Sequence, residues 1–148
     1  MRDRARDPDD VLAADVDLEG VRSVLEASDV RYAVVFGSYA TGSNTSTSDL
    51  DVCLRFADEC SRRDRFRQRN RIDSTIQSHA TSFVDVSDFE TLPETVALNA
   101  LQNGILVYGD EEAKSVDERR LEQRLADTAE QRERQQREFI DRLARGDI

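Results

Sequence analysis

Asp49 and Asp51 stand two residues apart at the head of Leu50-Asp51-Val52-Cys53-Leu54-Arg55-Phe56, where apolar and polar residues alternate. That alternation predicts a strand with one apolar face, and a strand puts both carboxylates on the same side. Two bare carboxylates so close repel each other, and a hard divalent cation relieves the repulsion. Magnesium suits such an oxygen-only set, because it keeps positions open for water and phosphate oxygens. With two such ions, one activates an attacking hydroxyl while the other neutralises a triphosphate and its pyrophosphate leaving group. The pair therefore points to phosphoryl-type transfer.

Upstream, Gly37-Ser38 closes the apolar run Arg31-Tyr32-Ala33-Val34-Val35-Phe36. Gly37 lets backbone approach a phosphate with no Cβ in the way, and Ser38 would present its N–H and hydroxyl at a helix start. Downstream, Asp85 interrupts a third apolar run, Phe83-Val84-Asp85-Val86, where an aspartate is otherwise a poor choice. Its predicted role is third metal ligand and acceptor, directly or through the metal, for the proton of the incoming hydroxyl. Asp88 is the fallback, in an adjacent loop where a solvated position is expected.

Elements must hold these groups in place. Leu18, Val21, Val24 and Leu25 recur at helical spacing, which predicts a helix over 11–27 with Gly20 as a weak point. Strands are predicted over 31–36, from Leu50 to Phe56, over 82–86 and over 105–108, with Ser38 to Ser48 a loop. Helices are predicted over 62–78, after Pro93 to about Gly104, and as one or two long charged helices from Glu111 to Arg145. The domain boundaries expected are a frayed tail over 1–10, a core over 11–110 and a helical extension over 111–148. Along the extension Leu121, Leu125, Phe139, Ile140 and Leu143 mark a narrow apolar stripe. Packing at one end with a solvated remainder is expected, and partner docking is the sharper alternative.

Gly-Ser, a ten-residue spacer and Asp-x-Asp at the head of a strand resemble the signature of the DNA polymerase β-like nucleotidyltransferase superfamily. Within it the chain resembles the minimal nucleotidyltransferases, over about Leu18 to Tyr108, including Val84-Asp85-Val86 and Gly104-Ile105-Leu106-Val107-Tyr108. The resemblance implies an α/β fold, a short mixed sheet carrying the acidic site on one edge and flanked by helices, with a long C-terminal helix. It implies that Gly37 and Ser38 bind the triphosphate of ATP, with Ser48 also matching, and that Asp49, Asp51 and Asp85 hold two Mg2+ ions. It departs at Thr41, where the family often has arginine. Minimal nucleotidyltransferases are commonly paired with HEPN-domain toxins as antitoxins that can adenylylate a tyrosine of the toxin. The implied function is therefore AMP transfer to a HEPN partner in a hetero-oligomer, with a non-catalytic binding antitoxin as the alternative.

Size and charge agree with an acceptor supplied from outside. A chain of 148 residues fits one domain and leaves little for a separate acceptor-binding module, which argues against a small-molecule transferase. A formal charge of -10 disfavours general nucleic-acid binding, and the arginines between Arg62 and Arg71 read as a solvated helix face. Abundant acids beside a single lysine, Lys114, predict a halophilic protein. No apolar stretch reaches membrane-spanning length, and a cytoplasmic location is expected. Cys53 and Cys60 make neither a disulfide framework nor a zinc pattern. His79 reads as a helix-end or solvated residue, and Tyr39 and Tyr108 as packing residues.

Overall fold

The computed structural model describes Leu12, residues 15–45 and residues 48–146, so the tail expected over 1–10 lies outside the described residues. Helix α1 spans Leu18–Glu26, strand β1 Val30–Phe36, the short helix α2 Ser38–Thr41 and strand β2 Leu50–Phe56. Helix α3 (Arg62–Ile76) runs into a 3-10 turn at Gln77–His79, and β3 (Val84–Asp88) into another at Phe89–Thr91. Helix α4 (Glu94–Asn103), strand β4 (Ile105–Gly109) and the long helix α5 (Glu111–Arg145) complete the chain.

The four strands lie in the order β3-β2-β1-β4. β1 pairs antiparallel with β2 and β4, whereas β3 runs parallel to β2, so the sheet is mixed. Every described strand has one residue set facing each way. Ala33, Val35, Leu50, Val52, Leu54, Phe56, Val84 and Val86 face Leu18, Val21, Leu25, Ile72 and Ile76 of α1 and α3. Tyr32 and Val34 face Ala97 and Leu101 of α4 and Leu121 of α5. The second face of β2 is thus covered as well, with Cys53 and Arg55 both buried, where the sequence reading assigned it a single apolar face.

Local chemistry sets the element ends. Asp17 caps α1 by accepting from the Gly20 N–H at 3.1 Å, so this helix begins at Leu18; of residues 11–14, where the expected helix starts, only Leu12 is among the described residues. Gly20 is a close approach rather than a weak point, since a Cβ there would meet the His79 ring at 2.2 Å. Ser61 and Asp64 form a reciprocal capping box that starts α3. Asp110 caps α5, which runs unbroken for 35 residues and ends at Gly146 in the left-handed conformation. Beyond Thr128 all its described residues are exposed, a run of about 25 Å at 1.5 Å per residue. None of the described helices is long and apolar enough to cross a membrane.

Candidate active site

Along one face of β2 the side chains pass from closed to open. Cys53 is buried, Arg55 is buried under Asp117 of α5 and the 3-10 turn at Phe89–Thr91, Asp51 is half-buried, and Asp49, just before the strand, is exposed. On the neighbouring strand Asp85 pairs in register with Asp51, so the two face the same way across roughly 4.8 Å of strand spacing. On the other side Phe36, the last residue of β1, pairs with Asp51, which brings the Gly37-Ser38 turn alongside. The acidic group therefore spans the interior strand β2 and the edge strand β3 at one end of the sheet, where the sequence reading put it on an edge.

This crowding has an electrostatic consequence. Burial first, then the charges of Asp85 and Asp49, push the Asp51 carboxyl above the usual carboxylate range. Among the described residues none of these three aspartates forms an ion pair, and no three acidic, His or Cys side chains converge tightly enough to hold a metal as they stand. Asp49 and Asp85 are exposed, and their carboxylates can turn inward around an ion. Gly37 keeps space beside them. It sits at φ 76°, ψ -148°, and a Cβ there would meet Asp51 Oδ2 at 2.5 Å. An oxygen-only group beside a glycine cradle fits a hard divalent cation.

Residues 19–113 match the Polymerase beta nucleotidyltransferase family model. The chain belongs to this nucleotidyltransferase family. Its fold is similar to that of a toxin–antitoxin complex crystallised with AMP-PNP, at TM-score 0.63 and 16% identity over 84% of this chain and 99% of that one. A similar match is the MNT antitoxin complex with a tri-AMPylated HEPN toxin from Shewanella oneidensis, at TM-score 0.56 and 14% identity over 83% of this chain and 95% of that one. The toxin–antitoxin MntA-HepT gives the same TM-score, 0.56, at 14% identity, with 83% and 96% covered. No curated protein sequence matches the chain.

The remaining motif residues of this nucleotidyltransferase have distinct surroundings. Ser38 opens α2 and is half-buried beside Gly37. Thr41, where the family often has arginine, turns its hydroxyl onto the Gly37 and Ser38 carbonyls at 3.4 and 3.3 Å and onto Ser43 Oγ at 2.9 Å. It stitches the turn together instead of projecting a cation. Ser48 Oγ accepts from the Thr45 N–H at 2.8 Å, so its hydroxyl closes the loop ahead of Asp49. Tyr39 is buried, and its hydroxyl lies 2.7 Å from Ser82 Oγ and 3.3 Å from Asp15 Oδ2, fastening α2 to the segment that leads into β3.

Asp88 corrects the expectation of a solvated loop residue. It ends β3 buried, accepts from Arg65 Nε at 2.9 Å and caps the following 3-10 turn through the Glu90 N–H. Paired in this way, and on the opposite strand parity from Asp85, it is no part of the acidic group. Arg55, read in sequence as one more polar alternation, anchors a second buried network. It bonds Asp117 at 3.0 Å and Asp58 at 2.7 Å, lies 3.3 Å from Glu90, and its guanidinium sits over the Phe89 ring. Tyr32 donates to the same Asp117 at 2.7 Å, and burial holds its phenol well above its ordinary pKa, so it stays a donor. The sequence signal for this network was an arginine set among buried β2 residues, which has to find a partner. His79 is held 3.2 Å from Asp17 and away from the acidic group. Cys53 is buried, and its thiol is pushed up to about 12 by that burial and by Asp88.

Proposed function

We propose that the protein transfers AMP from ATP to a tyrosyl hydroxyl of a HEPN-domain partner and thereby acts as its antitoxin. The observation that carries this reading is the register pairing of Asp51 with Asp85 beside Gly37, with Asp51 raised by burial and by its acidic neighbours. Asp49, Asp51 and Asp85 would hold two Mg2+ ions, which when bound supply neutralisation of the triphosphate and activation of the hydroxyl. The Gly37-Ser38 turn lies on the β1 side of Asp51 and receives the triphosphate. Asp85 lies on the β3 side and faces the acceptor, whose proton it takes as the oxygen bonds the α-phosphorus and pyrophosphate leaves. The similarity to antitoxin folds seen with AMP-PNP and with an AMPylated toxin supports the same substrate and acceptor class. The lone lysine and charge of -10 support a cytoplasm rich in salt, where melting should rise from low to molar KCl.

The test is direct. Incubation with α-labelled ATP, Mg2+ and the HEPN partner should label the partner, and Asp49→Ala with Asp51→Ala should abolish the label. Absence of label with the intact protein would sink the reading. A second reading, a binding antitoxin that needs no catalysis, draws on the overhanging part of α5, where Phe139, Ile140 and Leu143 are about half exposed. Neutralisation that survives the double substitution would favour it.

A further inference from the structure

We infer that Phe83 is the acceptor-recognition residue of this site and selects an aromatic hydroxyl by stacking on its ring. This rests on the AMP-transfer reading above. Phe83 is 61% exposed although it adjoins the buried Val84. Its place is fixed: the Leu50 N–H donates to the Phe83 carbonyl at 2.8 Å, which continues the β2–β3 ladder one residue beyond Val84. Next to it, Ser82 is tied to Tyr39 at 2.7 Å. Strand alternation then puts Phe83 on the face of Asp85, about 6.6 Å along the strand, and opposite Asp49 across the ladder. Val84 and Val86, on the other parity, are buried against α1 and α3, which leaves the phenyl ring on the open face.

Position across the sheet assigns the occupant. The phosphate turn lies on the β1 side of Asp51, so the triphosphate reaches the acidic group from there. Phe83 and Asp85 lie on the far side, on the edge strand, where a second substrate must enter. A bare phenyl ring beside three carboxylates offers nothing to a small aliphatic alcohol. It offers a flat face to the ring of a tyrosine whose oxygen then reaches Asp85. In the transfer the tyrosyl oxygen bonds the α-phosphorus, the bond to pyrophosphate breaks, and the phenolic proton passes to Asp85.

The experiment uses the full chain with labelled ATP and Mg2+, and N-acetyltyrosinamide or N-acetylserinamide as acceptor. Wild type should favour the tyrosine amide. Phe83→Ala should lower kcat/KM for it by about three- to tenfold, leave the serine amide and the KM for ATP unchanged, and Phe83→Trp should keep the preference. A rise in the KM for ATP alone would make the ring a base platform, and an unchanged tyrosine preference would remove its role; either overturns the inference while AMP transfer stands. No transfer by wild type to these amides or to the protein partner would instead overturn AMP transfer, and the assignment of Phe83 with it.

Discussion

Two sets of acids lie along the same sheet, and they are finished differently. At the covered end Asp117, Asp58 and Glu90 surround Arg55, and Asp88 is matched by Arg65. At the open end Asp49, Asp51 and Asp85 stand together with no cation among the described residues to match them, and Asp51 is raised by burial first and then by its two acidic neighbours. β2 carries both sets within a few residues. The chain completes one cluster with its own guanidinium groups and leaves the other to be completed from outside. A buried charge needs its partner to fold, whereas a half-exposed one can wait for a ligand.

The largest effects should separate the two ends by kind. Asp49→Ala with Asp51→Ala should reduce AMP transfer at least about 10³-fold, measured by labelling, while circular dichroism shows the fold retained. Arg55→Ala should do the reverse. It strands Asp117, 5% exposed, without its buried cation and should cost about 3–5 kcal/mol by urea titration. Residual activity should then track the folded fraction. If the double alanine variant unfolded, or the Arg55 variant stayed stable and lost only transfer, the division would fail. A smaller effect belongs to Gly37→Ala, which forces a Cβ onto Asp51 at a positive φ. It should lower transfer about tenfold or more and cost about 1–2 kcal/mol.

The open end was legible in sequence because it is a local pattern. Gly37, Asp49, Asp51 and Asp85 each break the composition of the run that holds them, and strand alternation alone puts the two β2-end aspartates on one side. The pairing of Asp85 with Asp51 needed the parallel register, which no spacing encodes. The covered end was not legible, because Arg55 and Asp117 are 62 residues apart and meet only when α5 crosses the sheet. Asp88 misled for the same reason: its partner Arg65 belongs to a helix whose charges all read as solvated. At Thr41 and Ser48 the motif positions were found, but their hydroxyls turn onto the loop, a detail set by backbone geometry.

The smallest effect tests the comparison most sharply, because the same substitution should have opposite signs at the two ends. Asp51 binds its proton more tightly folded than unfolded, since its folded pKa is raised. The native state is therefore favoured at low pH, and stability falls as pH climbs from the ordinary carboxylate range through the raised value. At neutral pH, without divalent ions, the charge is a net cost. Asp51→Asn keeps the shape and removes the charge, so it should raise Tm by a few degrees at most, with the gain vanishing at acid pH. Mg2+ should raise the Tm of wild type and leave the variant nearly unmoved, because the ion supplies the missing countercharge only where a carboxylate remains. Asp117→Asn deprives Arg55 of a buried partner and should lower Tm with or without the ion. If both variants shifted Tm in the same direction at neutral pH, the open cluster would be structurally paired after all, and its role as a site left for an outside cation would fall.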